Sequence, residues 1–149
     1  MSELFCGSNS YPNYFEGDIS EWDVGNVAYM EYMFSGATSF DQEIGHWDVH
    51  NVTTMEGMFK DAKDFNSDIS YWDVSNVTTM QGMFKNAENF NADISYWDVR
   101  NVTNMAEMFS GATSFDQNLL PWRPRKSGVY TRDMFHNCPQ DEYLKPKFF

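Results

Sequence analysis

Cysteine is nearly absent: Cys6 and Cys138, in opposite end segments, are the only two in 149 residues. That excludes a disulfide framework. In a stack of coils rising roughly 4.8 Å each, the two would also lie beyond the roughly 7 Å Cα separation that a bridge tolerates. Both thiols are expected free, which suits a reducing compartment, and Cys138 is expected to be the more buried. No run approaches the roughly 18 apolar residues that a membrane helix requires. The opening MSELFCGSNSYPNY has neither a basic n-region nor an apolar h-region, so no signal peptide is read. The expected location is intracellular or within a virion or other assembly, with the cell surface reached only if a leader has been removed. There is also no Cys-x-x-Cys pair, no phosphate-cradling glycine loop and no nucleophile–base pair. No catalytic residue and no cofactor is assigned, and the chain is read as not an enzyme.

Basic residues are scarce over most of the chain. Six of the ten Lys and Arg lie after Trp122, against three acidic residues there, a net of +3. The rest has four against nineteen, a net of -15. An acidic body argues against nucleic acid and anionic membranes as main partners.

What is abundant is repetition. Phe15, Phe40, Phe65, Phe90 and Phe115 are 25 residues apart, and Trp22, Trp47, Trp72, Trp97 and Trp122 keep the same step. So do Ile19, Ile44, Ile69, Ile94 and Leu119, and the Met-x-x-Met-Phe runs from Met30, Met55, Met80 and Met105. A period of this size marks a solenoid, a propeller or an array. Aromatics at 17% with ten methionines supply a well-filled interior despite the net charge of -12, so disorder is not expected.

Within one unit, Val77, Met80, Met83, Phe84 and Ala87 fall on one helical face, and Thr78 with Gln81 resembles a capping box. The spacing predicts a helix over Thr78 to Ala87. Trp72 and Val74 alternate with Tyr71, Asp73 and Ser75, which predicts a short strand pairing in parallel with its neighbours. The fold class expected is an α/β repeat solenoid of about five such units, each a short parallel strand, a turn and a short helix. One unit cannot bury its apolar face alone, so the ends need caps. The chain is read as a single domain over 1–149. Residues 1–14 form an amino-terminal cap, 15–114 four regular repeats, and 115–149 a divergent fifth repeat and carboxy-terminal cap, where Pro124 interrupts the strand.

The stretch FNSDISYWDVSNVTTMQGMFKNA resembles the 25-residue repeats of the DUF285 family, the BspA-like surface-protein repeats, closely from Phe15 to about Ala112 and loosely from Phe115 to Cys138. The resemblance implies a right-handed solenoid related to leucine-rich repeats, with adhesive or protein-binding roles and no known catalysis. Family members are often secreted or lipid-anchored, and related repeats occur in protist and large-virus proteins.

Several columns are candidates for chemistry. Asn26, Asn51, Asn76 and Asn101 are expected to form an internal ladder bonding backbone groups of the adjacent coil. The competing reading of the last three is glycosylation, since each begins an Asn-Val-Thr sequon. Asp23, Asp48, Asp73 and Asp98 are expected to make local turn bonds, with calcium binding as the alternative and the four aspartates as its weak candidate ligands. His46, Asp48 and His50 offer a more remote zinc site, and with it a metalloenzyme. Thr53, Thr78 and Thr103 are read as caps, in preference to an ice-binding face. The function expected is a non-enzymatic protein-interaction or scaffold module. Its partner is another protein, a second copy or a larger assembly. Alternation along the strand turns Glu21, His46, His50, Tyr71, Tyr96 and Arg100 outward as partner-binding candidates, since the core repeats while these positions vary. The fallback site is the opposite side, at Lys60, Lys63 and Lys85.

Overall fold

The computed structural model describes residues 17–125 and 128–147. The proposed amino-terminal cap, with Cys6 and Phe15, lies outside them. Residues one period apart lie over one another: parallel bridges join Tyr29 to Thr54, Thr54 to Thr79, Thr79 to Asn104 and Asn104 to Tyr130. The chain winds into a stack of coils around a single buried cluster running from Ile19 to Met134.

The coils are not built as expected. Among the described residues there is no helix, and strand structure is confined to those isolated bridges. The expected α/β, leucine-rich-repeat-like solenoid with a strand and a helix in each unit is therefore not the fold. Each coil is instead a chain of tight turns that begin and end on apolar residues. Trp72 N–H donates to Ile69 O (3.2 Å), Val77 to Val74 (2.9 Å), Met83 to Met80 (3.1 Å), Ala87 to Phe84 (3.1 Å) and Phe90 to Ala87 (3.2 Å). All of these residues are buried. The spacing of three that resembled a helical face is the repeat of these turns, whose first and last residues both point inward.

Backbone conformation excludes the helix. Gly82 and Asn86 each have φ of +58°, and Gly57 and Asp61 repeat them at +58° and +59°. Each is the third residue of a turn that calls for positive φ, a position favouring Gly or Asn. The left-handed residues break any right-handed run and turn alternate amides out of the coil. Met55, Gly57, Phe59 and Asp61 donate to Thr79, Gln81, Met83 and Lys85 of the next coil, at 3.1, 2.8, 2.9 and 2.7 Å. The amides between them close turns within their own coil. Buried amides from Met55 to Ala62 are thereby satisfied without helix or sheet, as burial requires.

The strand is likewise displaced. Trp72 to Val74 lies between two turns and carries no bridge; the bridges fall at Thr54, Thr79 and Asn104. Thr78 does not cap a helix either, because its Oγ1 donates to Thr53 O of the preceding coil (3.1 Å).

Two columns of phenylalanine fill the interior. Phe34, Phe59, Phe84, Phe109 and Phe135 stack with centroids 5.5 to 5.7 Å apart. Phe40, Phe65, Phe90 and Phe115 form the second column at 5.7 to 5.9 Å. Rings of the two columns pair within each coil, as Phe59 with Phe65 at 3.8 Å. The tryptophans form a third file. Trp47, Trp72, Trp97 and Trp122 are buried and Trp22 half-buried, and Trp72 lies 6.4 Å from Trp97 at an interplanar angle of 6°. Each buried indole N–H donates to an isoleucine carbonyl of the coil before, such as Trp72 Nε1 to Ile44 O at 3.0 Å.

In the fifth coil the Met-Phe pair arrives one residue late, and the extra residue is taken up before Tyr130. Beyond it the ladder resumes, with Phe109 N–H donating to Met134 O (2.9 Å) and Phe135 stacked on Phe109. Cys138 occupies the column of Ala37, Ala62, Ala87 and Ala112 and is free and half-buried. Burial raises its thiol pKa.

Gly57 and Gly82 share the same φ but not the same surroundings. A Cβ on Gly82 meets nothing closer than Lys85 Cβ at 3.9 Å, whereas one on Gly57 would stand 2.3 Å from Tyr32 Cε1. Gly82→Ala should cost about 1–2 kcal/mol, the left-handed penalty alone. Gly57→Ala should cost about 1–3 kcal/mol more, because the Tyr32 ring must leave its hydrogen bond to Glu56 Oε1 (2.5 Å). Urea unfolding of the two variants measures the difference.

Candidate interaction surface

The wall carrying Trp72 and its equivalents is joined between coils largely by side chains. Asn51, Asn76 and Asn101 donate through Nδ2 to the carbonyls of Gly25, His50 and Ser75 in the coil before, each at 2.7 Å. The asparagines thus form a ladder, though it lies on the exposed surface rather than in the interior. A second ladder was missed in sequence: Asn66, Asn91 and Asp116 N–H donate to the side chains of Asp41, Asn66 and Asn91 at 2.8, 2.8 and 2.9 Å. Its signal was the polar residue following each phenylalanine at the 25-residue step.

The four aspartates of the weak metal column each accept a backbone N–H two residues on. Asp23 takes Gly25 (3.0 Å), Asp48 His50 (3.3 Å), Asp73 Ser75 (3.0 Å) and Asp98 Arg100 (3.1 Å). Asp48 also holds His50 Nδ1 at 2.6 Å, and Asp98 holds Arg100 Nε at 2.7 Å. His46 turns away, its Nε2 against Ser20 O at 2.5 Å. The structure therefore does not bring His46, Asp48 and His50 together. Among the described residues no group of three His, Cys, Asp or Glu is placed to hold a metal.

Local bonds also set the acidity of this wall. The His50 side chain, then its N–H, holds the Asp48 carboxyl below its usual range. The Arg100 side chain does the same for Asp98, and Ser20 and Ser70 do it for Asp18 and Asp68.

Glu21, His46, His50, Tyr71, Tyr96 and Arg100 are all exposed. They divide into two kinds. His46, His50 and Arg100 are engaged with neighbouring groups, whereas Tyr71 and Tyr96 stand 90% and 85% exposed. Each tyrosine is the third residue of an Ile-x-Tyr-Trp turn whose two ends point into the core. Between them opens a cleft of about 540 Å³, lined also by Asn66, Asp68, Ser70, Ala92 and Asp93. Its floor is short at Ala92, which packs against the core where Gln42 and Gln117 instead reach to the carbonyls of Gly17 and Asn91. The conjunction of a small residue in one column with tyrosines in another was not legible until the coils were stacked. On the opposite side, Lys63 and Lys85 pair with Glu88 and Glu107.

Stacked units with an invariant interior and a varied outer wall define a tandem-repeat protein. The model of the family described as "Mycoplasma protein of unknown function, DUF285" matches residues 1–75 and again 67–143, and the chain belongs to that family. Searches of curated proteins and of solved structures found no significant match.

The acid limb of stability follows from the lowered carboxyls. Asp18, Asp48, Asp68 and Asp98 have folded pKa values below their unfolded ones, so their contribution is complete above the unfolded value and is lost as pH falls through the folded one. Thermal melting should hold steady from about pH 7 to about pH 5 and fall below about pH 4. A scan in buffers of constant ionic strength checks this.

Proposed function

We propose that this protein is a non-enzymatic interaction module, a scaffold whose partner is another protein and whose binding wall carries Tyr71 and Tyr96. The observation behind this reading is their exposure, 90% and 85%, beside an open cleft on a stack of hydrogen-bonded coils. Large aromatic rings held in water on a fixed framework lose little freedom on binding, and Tyr is favoured among interface anchors. Adhesion in the manner implied by the family resemblance falls within the same reading.

A calcium-dependent form of binding takes second place. It would draw on Asp23, Asp48, Asp73 and Asp98, whose Oδ1 atoms already hold backbone N–H groups.

Replacing both rings tests the reading. A partner captured from the native source and titrated against Tyr71→Ala with Tyr96→Ala should bind at least about 1 kcal/mol more weakly, with the melting temperature unchanged. Undiminished affinity would place the binding surface elsewhere, with Lys60, Lys63 and Lys85 next in line.

A further inference from the structure

The cleft between Tyr71 and Tyr96 has a chemistry of its own. Asp68 and Asp93 line it, and each gives one carboxylate oxygen to a backbone N–H, Ser70 and Ser95 respectively, both at 2.9 Å. Among the described residues neither aspartate has an ion-pair partner, unlike Asp48 and Asp98 on the same wall. The two tyrosine rings are not stacked on one another and show no hydrogen bond among the described residues, so they stand open to a ligand. The cleft thus combines a half-buried apolar residue, Ala92, two aromatic faces and two carboxylates that are hydrogen-bonded but without a cationic partner among the described residues.

The site repeats in step with the coils. Asp68 and Asp93, like Tyr71 and Tyr96, are one period apart, and buried rings one period apart are spaced 5.5 to 6.4 Å, the last between Trp72 and Trp97 beside the two tyrosines. An extended peptide carries side chains on one face at every second residue, roughly 6.5–7 Å apart. The two spacings nearly agree. Guanidinium groups suit both halves of the lining, since they stack on aromatic faces and pair with carboxylates through a planar fork. The body of the chain, with its net charge of -15 before the carboxy-terminal end, attracts such a segment from a distance.

We propose that this cleft takes an extended basic segment of a partner protein, with arginines at alternate positions lying over Tyr71 and Tyr96 and pairing with Asp68 and Asp93. The inference rests on the interaction-module reading and specifies the partner's chemistry. Sugars also lie against tyrosines, and their hydroxyls can donate to carboxylates, but a neutral sugar brings no counter-charge to Asp68 and Asp93, so a peptide cation is the better fit.

The probe is the peptide acetyl-Gly-Arg-Gly-Arg-Gly-amide, titrated by calorimetry and by NMR shifts of the Ala92 and Asp93 amides. The peptide should bind saturably, one per chain, and more weakly as salt is raised. Asp68→Asn and Asp93→Asn should each weaken it about threefold or more, and the Glu-for-Arg peptide should not bind. Absence of saturable binding by the arginine peptide would overturn the proposal, as would affinity unmoved by both substitutions. So would binding of maltotetraose at this cleft in place of the peptide. A native partner lost with Tyr71→Ala and Tyr96→Ala but unmoved by Asp68→Asn and Asp93→Asn would leave the interaction-module reading intact and remove only the arginine. A partner indifferent to all four substitutions would remove both.

Discussion

Everything in this stack depends on where alternate backbone amides point. In a helix the Phe84 N–H would reach back to Met80 O; here it reaches forward to Met108 O at 2.9 Å, while Met83 closes the turn to Met80. Each coil therefore donates four backbone hydrogen bonds to the coil that follows and closes its turns internally. It sends others back to the coil before, as Thr78 N–H to Thr53 O and Asn89 N–H to Lys63 O (both 2.9 Å). Coils so joined stand one ring-stacking distance apart, and the phenylalanine columns at 5.5 to 5.9 Å use that interval. Hydrogen bonds and rings enforce one register, since a slip of one residue would replace Phe59 beneath Phe84 with Met58 or with the charged Lys60.

The side chains on the other wall do the same work where the backbone does not. The indole of Trp72 and the amide of Asn76 both reach carbonyls of the coil before. They fix a wall joined between coils largely by side chains, and they leave the residue before each tryptophan free to vary. Glu21, His46, Tyr71 and Tyr96 occupy one column on this wall, and Gly17, Gln42, Ser67, Ala92 and Gln117 another. Repetition thus builds the platform, and the local exceptions to repetition build the cleft.

The period and the buried columns were legible because each depends only on which residues recur. The conformation of the coil was not. Val77, Met80, Met83 and Ala87 recur at intervals of three both on a helical face and at the ends of consecutive turns, so apolar spacing cannot separate the two. The discriminating signal was glycine: Gly36, Gly57, Gly82 and Gly111 all have positive φ. Tyr32, Asp61, Asn86 and Glu107 hold the same two columns in the other coils with equally positive φ, and those residue types disguised the pattern. The outward-facing set came from an alternation assigned to a strand that does not exist. Tyr71 and Tyr96 are nonetheless exposed, because the last residue of each Ile-x-Tyr-Trp turn points in and the one before it out.

The forward hydrogen bond itself can be observed. Scalar coupling across a hydrogen bond connects a donor nitrogen to its acceptor carbonyl carbon and identifies the pair without a structural assumption. In protein labelled with nitrogen-15 and carbon-13, the Phe84 nitrogen should couple to the Met108 carbonyl carbon, and the Phe59 nitrogen to that of Met83. Coupling of Phe84 to Met80 instead would restore the helix and contradict the stack of turns described here.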